Sequence, residues 1–316
     1  MGVRSEVMTV SGKVPAGDIG FVLPHEHVLV DFIGADKVNP DRYDQDEVMK
    51  VVEPYLIQVR ELGCDTLVEC TPDYLGRDPV LLKRLSESTG LHLLTNTGFY
   101  GAANDKYVPA HAYKASVDQL ADGWTREWEE GIGDTGIRPG FMKIGVDSGQ
   151  LSKIDKKLVR AAARSHLKTG LTIAVHTGPG IPAMEELTVL AEEGVHGSAW
   201  IWVHAQSEKN TEYHIRAAEQ GAWLEFDGVA PNSVARHLDL VTEMKKHGYL
   251  NQVMVSHDAG WYRPGEPGGG AFRGFGTMFS EFLPALKKAG FTESEIRQLT
   301  VENPQRAYSI GVRVLN

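Results

Sequence analysis

Residues Gly20–Phe32 read GFVLPHEHVLVDF, with His25 and His27 one residue apart. In an extended strand alternate side chains share a face. The two imidazoles therefore point together and Glu26 points away, a pairing able to grip a metal ion. Four further residues with useful chemistry close other short apolar runs: Lys143 in FMKIG, His176 in AVHT, His204 in WVHA and Asp258 in VSHD. Alternation assigns their sides. Met142, Ile144 and Val146 share the outer face, leaving Lys143 inward. Ile173 and Val175 face out, with Thr172, Ala174 and His176 inward. Ile201 and Val203 face out with His204 inward. Val253 and Val255 face out with Ser256 and Asp258 inward, and His257 takes the outward parity. Singly, each has an ordinary role: a hydrogen-bonded histidine, a snorkelling lysine, a helix-capping aspartate. Jointly, four histidines and an aspartate on one side of successive strand ends form a metal-binding set, and His/Asp shells suit zinc and similar ions.

Lys143 is the anomalous member, since an ammonium has no lone pair and repels a cation. Addition of CO₂ to its amine gives a carbamate, an anion whose two oxygens can bridge two cations. The set then divides between two divalent ions. His25, His27 and Asp258 hold one, His176 and His204 the other, and the carbamate lies between. Zn²⁺ fits best, with Mn²⁺, Co²⁺ or Fe²⁺ as alternatives. Two metals about 3.5–4 Å apart activate water and polarise the bond under attack.

These residues are distant in sequence, so the fold must gather them. Candidate strands are GFVLPHEH, DTLVEC, LHLLTNTG, GFMKIG, LTIAVHT, AWIWVHA, AWLEFDG and NQVMVSHD, separated by segments of helical period. Three of those helices read KKLVRAAARSHLKTG, stopped by Gly170; PAMEELTVLAEEG, from Pro182 to Gly194; and SVARHLDLVTEMKKHG. Eight strand–helix units in 316 residues predict a (β/α)₈ TIM barrel, with the site at the C-terminal ends of the strands. The first strand lacks the Gly-rich turn of a doubly wound sheet. One domain is expected over 1–316, with a short β segment at about 5–19 and a closing helix at about 292–310 opened by a Thr292/Glu295 capping box. A formal charge of −10 disfavours a nucleic-acid partner. The first residues have no apolar signal-peptide core, and no run is long enough for a membrane helix. Cys64 and Cys70 read as buried reduced thiols, which suits the cytoplasm.

GFVLPHEH, LGRDP at 75–79, TNTGFY at 95–100, FMKIG, AVHTG, VSHDAGW and the terminal LTVENPQRAYSI occur in the order seen in the phosphotriesterase family of the amidohydrolase superfamily, which the chain resembles over nearly its whole length. The resemblance implies a binuclear centre, usually zinc. It places His25, His27 and Asp258 at the more buried metal, His176 and His204 at the more exposed one, and Lys143 as the bridging carboxylated lysine. It further implies hydrolysis by a metal-bridging hydroxide, with Asp258 taking the proton. The small-molecule substrate expected is a lactone or carboxylic ester, with an anionic or phosphorylated sugar lactone as one form. A phosphotriester is the alternative; a mononuclear deaminase or amidase and a non-catalytic ligand-binding barrel are weaker ones. Relatives are often homodimers. The sequence departs from the family where Gln206, Ser207 and Glu208 follow His204 in place of aspartates, and where Gly228 replaces a His or Arg, which leaves a carboxylate–histidine proton relay without its parts. Tyr100 after the third strand and Trp261, Arg263 and Arg273 in the glycine-rich GWYRPGEPGGGAFRGFG are the expected substrate contacts. That second loop reads as a mobile lid, and its arginines, with Lys209, as holders of an anionic group. Glu69 reads either as a carboxylate orienting a ligand histidine or as a barrel-core acid with a local partner. Arg77 and Asp78 read as loop anchors.

Overall fold

The computed structural model of the protein describes residues 5–315. A hairpin of β1 (Glu6–Thr9) and β2 (Gly12–Pro15) precedes eight parallel segments. These are β3 (Val22–Leu29), β4 (Thr66–Glu69), β5 (His92–Leu94) continued by β6 (Asn96–Thr97), β7 (Phe141–Gly145), β8 (Ile173–His176), β9 (Trp200–Val203), β10 (Trp223–Phe226) and β11 (Val253–Val255). A short β12 (Gly260–Tyr262) pairs with the mouth end of β3. Pairing runs β12-β3-β4-β5 in one arc and β6 to β11 in the other. The arcs meet twice. β5 and β6 are one strand interrupted at Thr95, and β11 meets β3 where the His25 N–H donates to Ser256 Oγ (3.0 Å) and the Asp258 N–H to the His25 carbonyl (3.1 Å). The result is a (β/α)₈ barrel.

Both strand faces are buried, as parallel sheets require. Met142, Ile144, Ile173, Val175, Val253 and Val255 pack outward against the helices. Phe141, Ala174 and Met254 fill the barrel interior. The hairpin and closing helix floor it: Val7, Ala16 and Ile19 pack with Phe141 and Tyr308, and Tyr308 Oη donates to the Pro24 carbonyl (3.0 Å).

One parity assignment fails. Ile201 and Val203 belong to the interior cluster, whereas Trp200 and Trp202 pack against the helices. Strict alternation would then turn His204 outward. It faces the mouth because the strand stops at Val203 and His204 adopts a left-handed φ of 62°. A similar device serves His25, which shares parity with outward Leu23. The β3–β4 register shifts between Leu23 and Glu26, and this bulge re-aims the histidine.

The helices begin and end where local chemistry dictates. Lys153–Thr169 has a Ser152/Asp155 capping box and stops at Gly170, φ 73°. Gly180–Glu192 starts two residues before Pro182, and Val234–Lys246 lies within its expected bounds. The closing helix opens on the Thr292/Glu295 capping box but runs Glu293–Arg297, then a π turn at Gln298–Glu302, then Asn303–Tyr308. A second π turn at Met278–Phe282 likewise precedes a proline, Pro284. Proline lacks the N–H for an i→i−4 bond, so the preceding turn widens. The glycine-rich segment read as a lid folds back on itself: Gly260 and Arg273 exchange both backbone hydrogen bonds (2.9 and 3.0 Å). Gly260 is required there, because a Cβ would collide with the His27 carbonyl.

Candidate metal centre

His25, His27, Lys143, His176, His204 and Asp258 all line one cavity at the C-terminal ends of the strands. Ring centroids lie 5.3 Å apart for His25–His27, 5.1 Å for His25–His204 and 4.3 Å for His176–His204. Each imidazole is held by Nδ1. His25 Nδ1 meets Glu225 (3.0 Å) and Asp227 (3.2 Å). His27 Nδ1 meets Thr71 Oγ1 (2.7 Å), His176 Nδ1 the Tyr100 hydroxyl (3.0 Å) and His204 Nδ1 the Asp227 carboxylate (2.6 Å). Every Nε2 is left for the centre, and Asp258 Oδ1 stands 3.2 Å from that of His27. Two triads bring donor atoms close enough for one ion: His25 with His27 and Asp258, and His25 with His204 and Asp227. The second meets through the outward Nδ1 atoms, so we read it as the frame that orients the imidazoles and the first as the ligand group.

The electrostatics follow from burial and these partners. Burial alone would keep His25 neutral, but the Asp227 and Glu225 carboxylates outweigh it and push its pKa up to about 10. Burial lowers His27, against the pull of Asp258. Burial, His204 and Lys143 hold His176 well below the ordinary histidine range. Burial opposes ionisation of Asp258, yet its bond to His27 and the neighbouring imidazoles hold it below the usual carboxylate range. Glu69 is pushed up to about 7 by burial. It reaches His27 through Thr71, whose hydroxyl donates to Glu69 (2.5 Å). The donor set suits a metal pair: imidazoles oriented through Nδ1 plus a carboxylate, with a bound cation able to displace the proton that Asp227 and Glu225 favour on His25. Lys143 is 1% exposed, and among the described residues no carboxylate pairs with its amine. An ammonium buried beside four imidazoles with no carboxylate partner is costly.

Sequence reasoning passed over Asp227 and Glu225. The signal was present in WLEFDG, where Trp223, Glu225 and Asp227 alternate onto one face. Gln206 completes the frame: its amide donates to Asp227 (2.7 Å) and its carbonyl accepts the Asp227 N–H (3.2 Å). Glu26, outward as expected, organises the other wall. It accepts from Ser256 Oγ (2.8 Å), His257 Nδ1 (2.6 Å) and the His257 and Ala259 N–H groups (3.0 and 2.9 Å), which brackets Asp258. Asp258 itself has φ 52°.

The cavity has two lobes that share Tyr100, Ala103, His176, His204 and Asp258. One, about 170 Å³, is walled by Val30, Phe32, Leu75, Tyr107 and Trp261. The other, about 580 Å³, opens to solvent past Asp147, Thr177 and Gln206. Tyr100 and Trp261 therefore stand where substrate contacts were expected. Arg263 and Arg273 line neither lobe. Arg263 pairs with Glu266 (3.0 Å), while Arg273 lies over the Trp261 ring (5.1 Å) and donates to the Asp258 carbonyl. Lys209 also lies outside both lobes. Arg77 is locked to Glu127 (2.7 and 2.8 Å), and Asp78 caps the helix Pro79–Thr89. Cys64 and Cys70 are free and buried.

A (β/α)₈ barrel with this cluster at its mouth is a metal-dependent hydrolase. The phosphotriesterase family model matches residues 5–308, and the chain belongs to that family. An organophosphorus hydrolase from Deinococcus radiodurans superposes with a TM-score of 0.87 at 28% identity, covering 98% of each chain. An aryldialkylphosphatase of Saccharolobus solfataricus is 28% identical over 94% of this chain and 97% of its own. An N-acetyltaurine hydrolase of Dictyostelium discoideum is 26% identical over 80% of this chain and 73% of its own. The family uses a binuclear metal centre, and no helix among the described residues is long and apolar enough to cross a membrane.

Proposed function

We propose that the protein hydrolyses carboxylic esters or lactones at a pair of zinc ions that His25, His27, His176, His204, Asp258 and a carboxylated Lys143 would hold. The observation that carries this reading is the grouping of His25, His27, His176 and His204, each held through Nδ1, with Asp258 against His27 Nε2 (3.2 Å) and a buried lysine amine among them. Two divalent cations would supply a nucleophile at neutral pH and Lewis acidity toward the carbonyl. The chain's own residues do the rest. Asp227 and Thr71 hold the imidazoles in register. Asp258 stays ionised through neutral pH and is the mouth carboxylate placed to accept the proton released on attack. Gly228 offers no side chain to extend a relay, so the proton leaves Asp258 toward the open lobe. The narrow apolar lobe walled by Val30, Phe32, Leu75, Tyr107 and Trp261 and the open one beside it suit the two arms of an ester.

Rates on simple lactones, aryl esters, an N-acyl amide and an aryl dialkyl phosphate, measured with zinc-reloaded protein, test the proposal. Lactones or esters should lead the phosphate by about 100-fold in kcat/KM, a barrier difference of about 2.7 kcal/mol. A phosphotriester hydrolysed fastest would replace this reading with that of an organophosphate hydrolase. Metal analysis should give two ions per chain, and Lys143→Ala should lose at least one.

A further inference from the structure

The two lobes differ in charge as well as size. Among the described residues no arginine lines either lobe, and Lys143 is the one lysine. Basic side chains around the mouth are engaged elsewhere: Arg273 on the Asp258 carbonyl, Arg263 on Glu266 and Arg236 on the Gln206 carbonyl. In the open lobe the sole charged side chain, metal-ligand candidates aside, is Asp147. Its carboxylate is fixed, accepting the Asn104 N–H at 2.9 and 3.3 Å. Asn104 sits among three successive left-handed residues, Ala103, Asn104 and Asp105, with φ of 61°, 54° and 58°. Alanine is costly in that conformation whereas asparagine and aspartate tolerate it, and the Asn104 N–H ties the turn to Asp147. This tie delivers Asp147 to the lobe as a held negative charge. The formal charge of −10 adds a field of the same sign.

We infer that Asp147 sets the charge specificity of the reaction: the leaving half of the substrate, seated in the open lobe, is neutral or cationic, and anionic leaving groups are rejected. The inference rests on the ester-hydrolase reading above. It places the short apolar acyl half in the narrow apolar lobe, which leaves the open one to the other half. It also reverses the anionic substrate that the sequence led us to expect, since the arginines invoked for it line neither lobe.

The test uses zinc-loaded protein and three butyrate esters of similar size. Their alcohols are choline (cationic), 3,3-dimethylbutanol (neutral) and 3-hydroxypropanesulfonate (anionic). At low salt kcat/KM should favour the choline over the sulfonate ester by about tenfold or more, the effect of one partly screened charge a few ångströms away. Asp147→Asn keeps an oxygen for the Asn104 N–H and should bring that ratio down several-fold. In the unaltered protein, raising salt from 0.02 to 0.5 M should compress the ratio too, which a purely structural role would not produce. Equal or faster hydrolysis of the sulfonate ester overturns the inference while leaving the hydrolase reading intact. So does a ratio unmoved by salt, or one that survives Asp147→Asn while all three rates fall together. No turnover of any ester, lactone or amide would overturn the hydrolase reading, and the inference with it.

Discussion

Asp227 sits beside two imidazoles at once. It accepts from His204 Nδ1 and the His204 N–H (2.9 Å), and it lies 3.2 Å from His25 Nδ1. Asp227→Asn presents an amide N–H in place of one acceptor and weakens the fixed tautomers. Loss of such an orienting carboxylate costs about 10–100-fold in metal affinity or activity. The expected result is metal content falling below two ions per chain under dialysis, with kcat/KM falling in parallel. Tyr100→Phe removes the partner of His176 alone, so it should loosen only the more exposed metal, by about tenfold; competition with a chromogenic chelator would show one weakened site and one unchanged. The legible residues were those that carry a metal signature by type: the histidines, Lys143 and Asp258. Asp227 carries no such signature, being a single aspartate before Gly228. Its role depends on two histidines from other strands, which a linear reading does not bring beside it.

At the scale of elements, the barrel aims its ligands by departures from regular strand geometry. The β3 bulge turns His25 inward, and left-handed backbone turns His204 and Asp258. This is why alternation read Lys143, His176 and the outer valines correctly and failed on β9. The end result for His204 was the same because one irregular residue cancelled one parity error. The Glu26 bracket holds the last of these departures. Glu26→Ala would strand buried donors on Ser256, His257 and Ala259, and breaking such a network costs about 3 kcal/mol. The expected readout is a lower denaturant midpoint at unchanged slope. His166 links another pair of elements, with Nδ1 bonded to the Leu171 carbonyl (2.8 Å) and Nε2 accepting the Arg313 N–H (2.8 Å). Burial lowers its pKa from 6.5 to about 4. The unfolded chain therefore binds a proton that the folded one refuses between those values. Stability from this group is complete above about pH 7 and falls as pH drops to about 4, by up to about 3 kcal/mol. Unfolding free energies across that range should show the slope, and His166→Gln should make it shallower.

For the whole molecule, architecture was legible because eight apolar strands alternating with capped helices leave few alternatives, and a short motif closes each strand. Pocket shape was not legible. The lobes are made by loops from several β/α units, and which side chains reach them depends on turns such as Ala103–Asp105. A metal held by the assembled donor set binds folded protein more tightly than the unfolded chain, so it would stabilise the fold by mass action. Chelation should lower the melting temperature, and Zn²⁺ should restore it where Mg²⁺ does not, since imidazoles suit zinc and magnesium prefers oxygen. The seam between β3 and β11 has a consequence for synthesis. His25 and Ser256 are separated by 231 positions, and their bond closes the barrel. A growing chain presents His25 and His27 to the cell long before Asp258 has been translated. For that interval it is a loose two-imidazole chelator rather than a cage. The full donor set is therefore a property of the closed barrel, complete only when the last strand arrives.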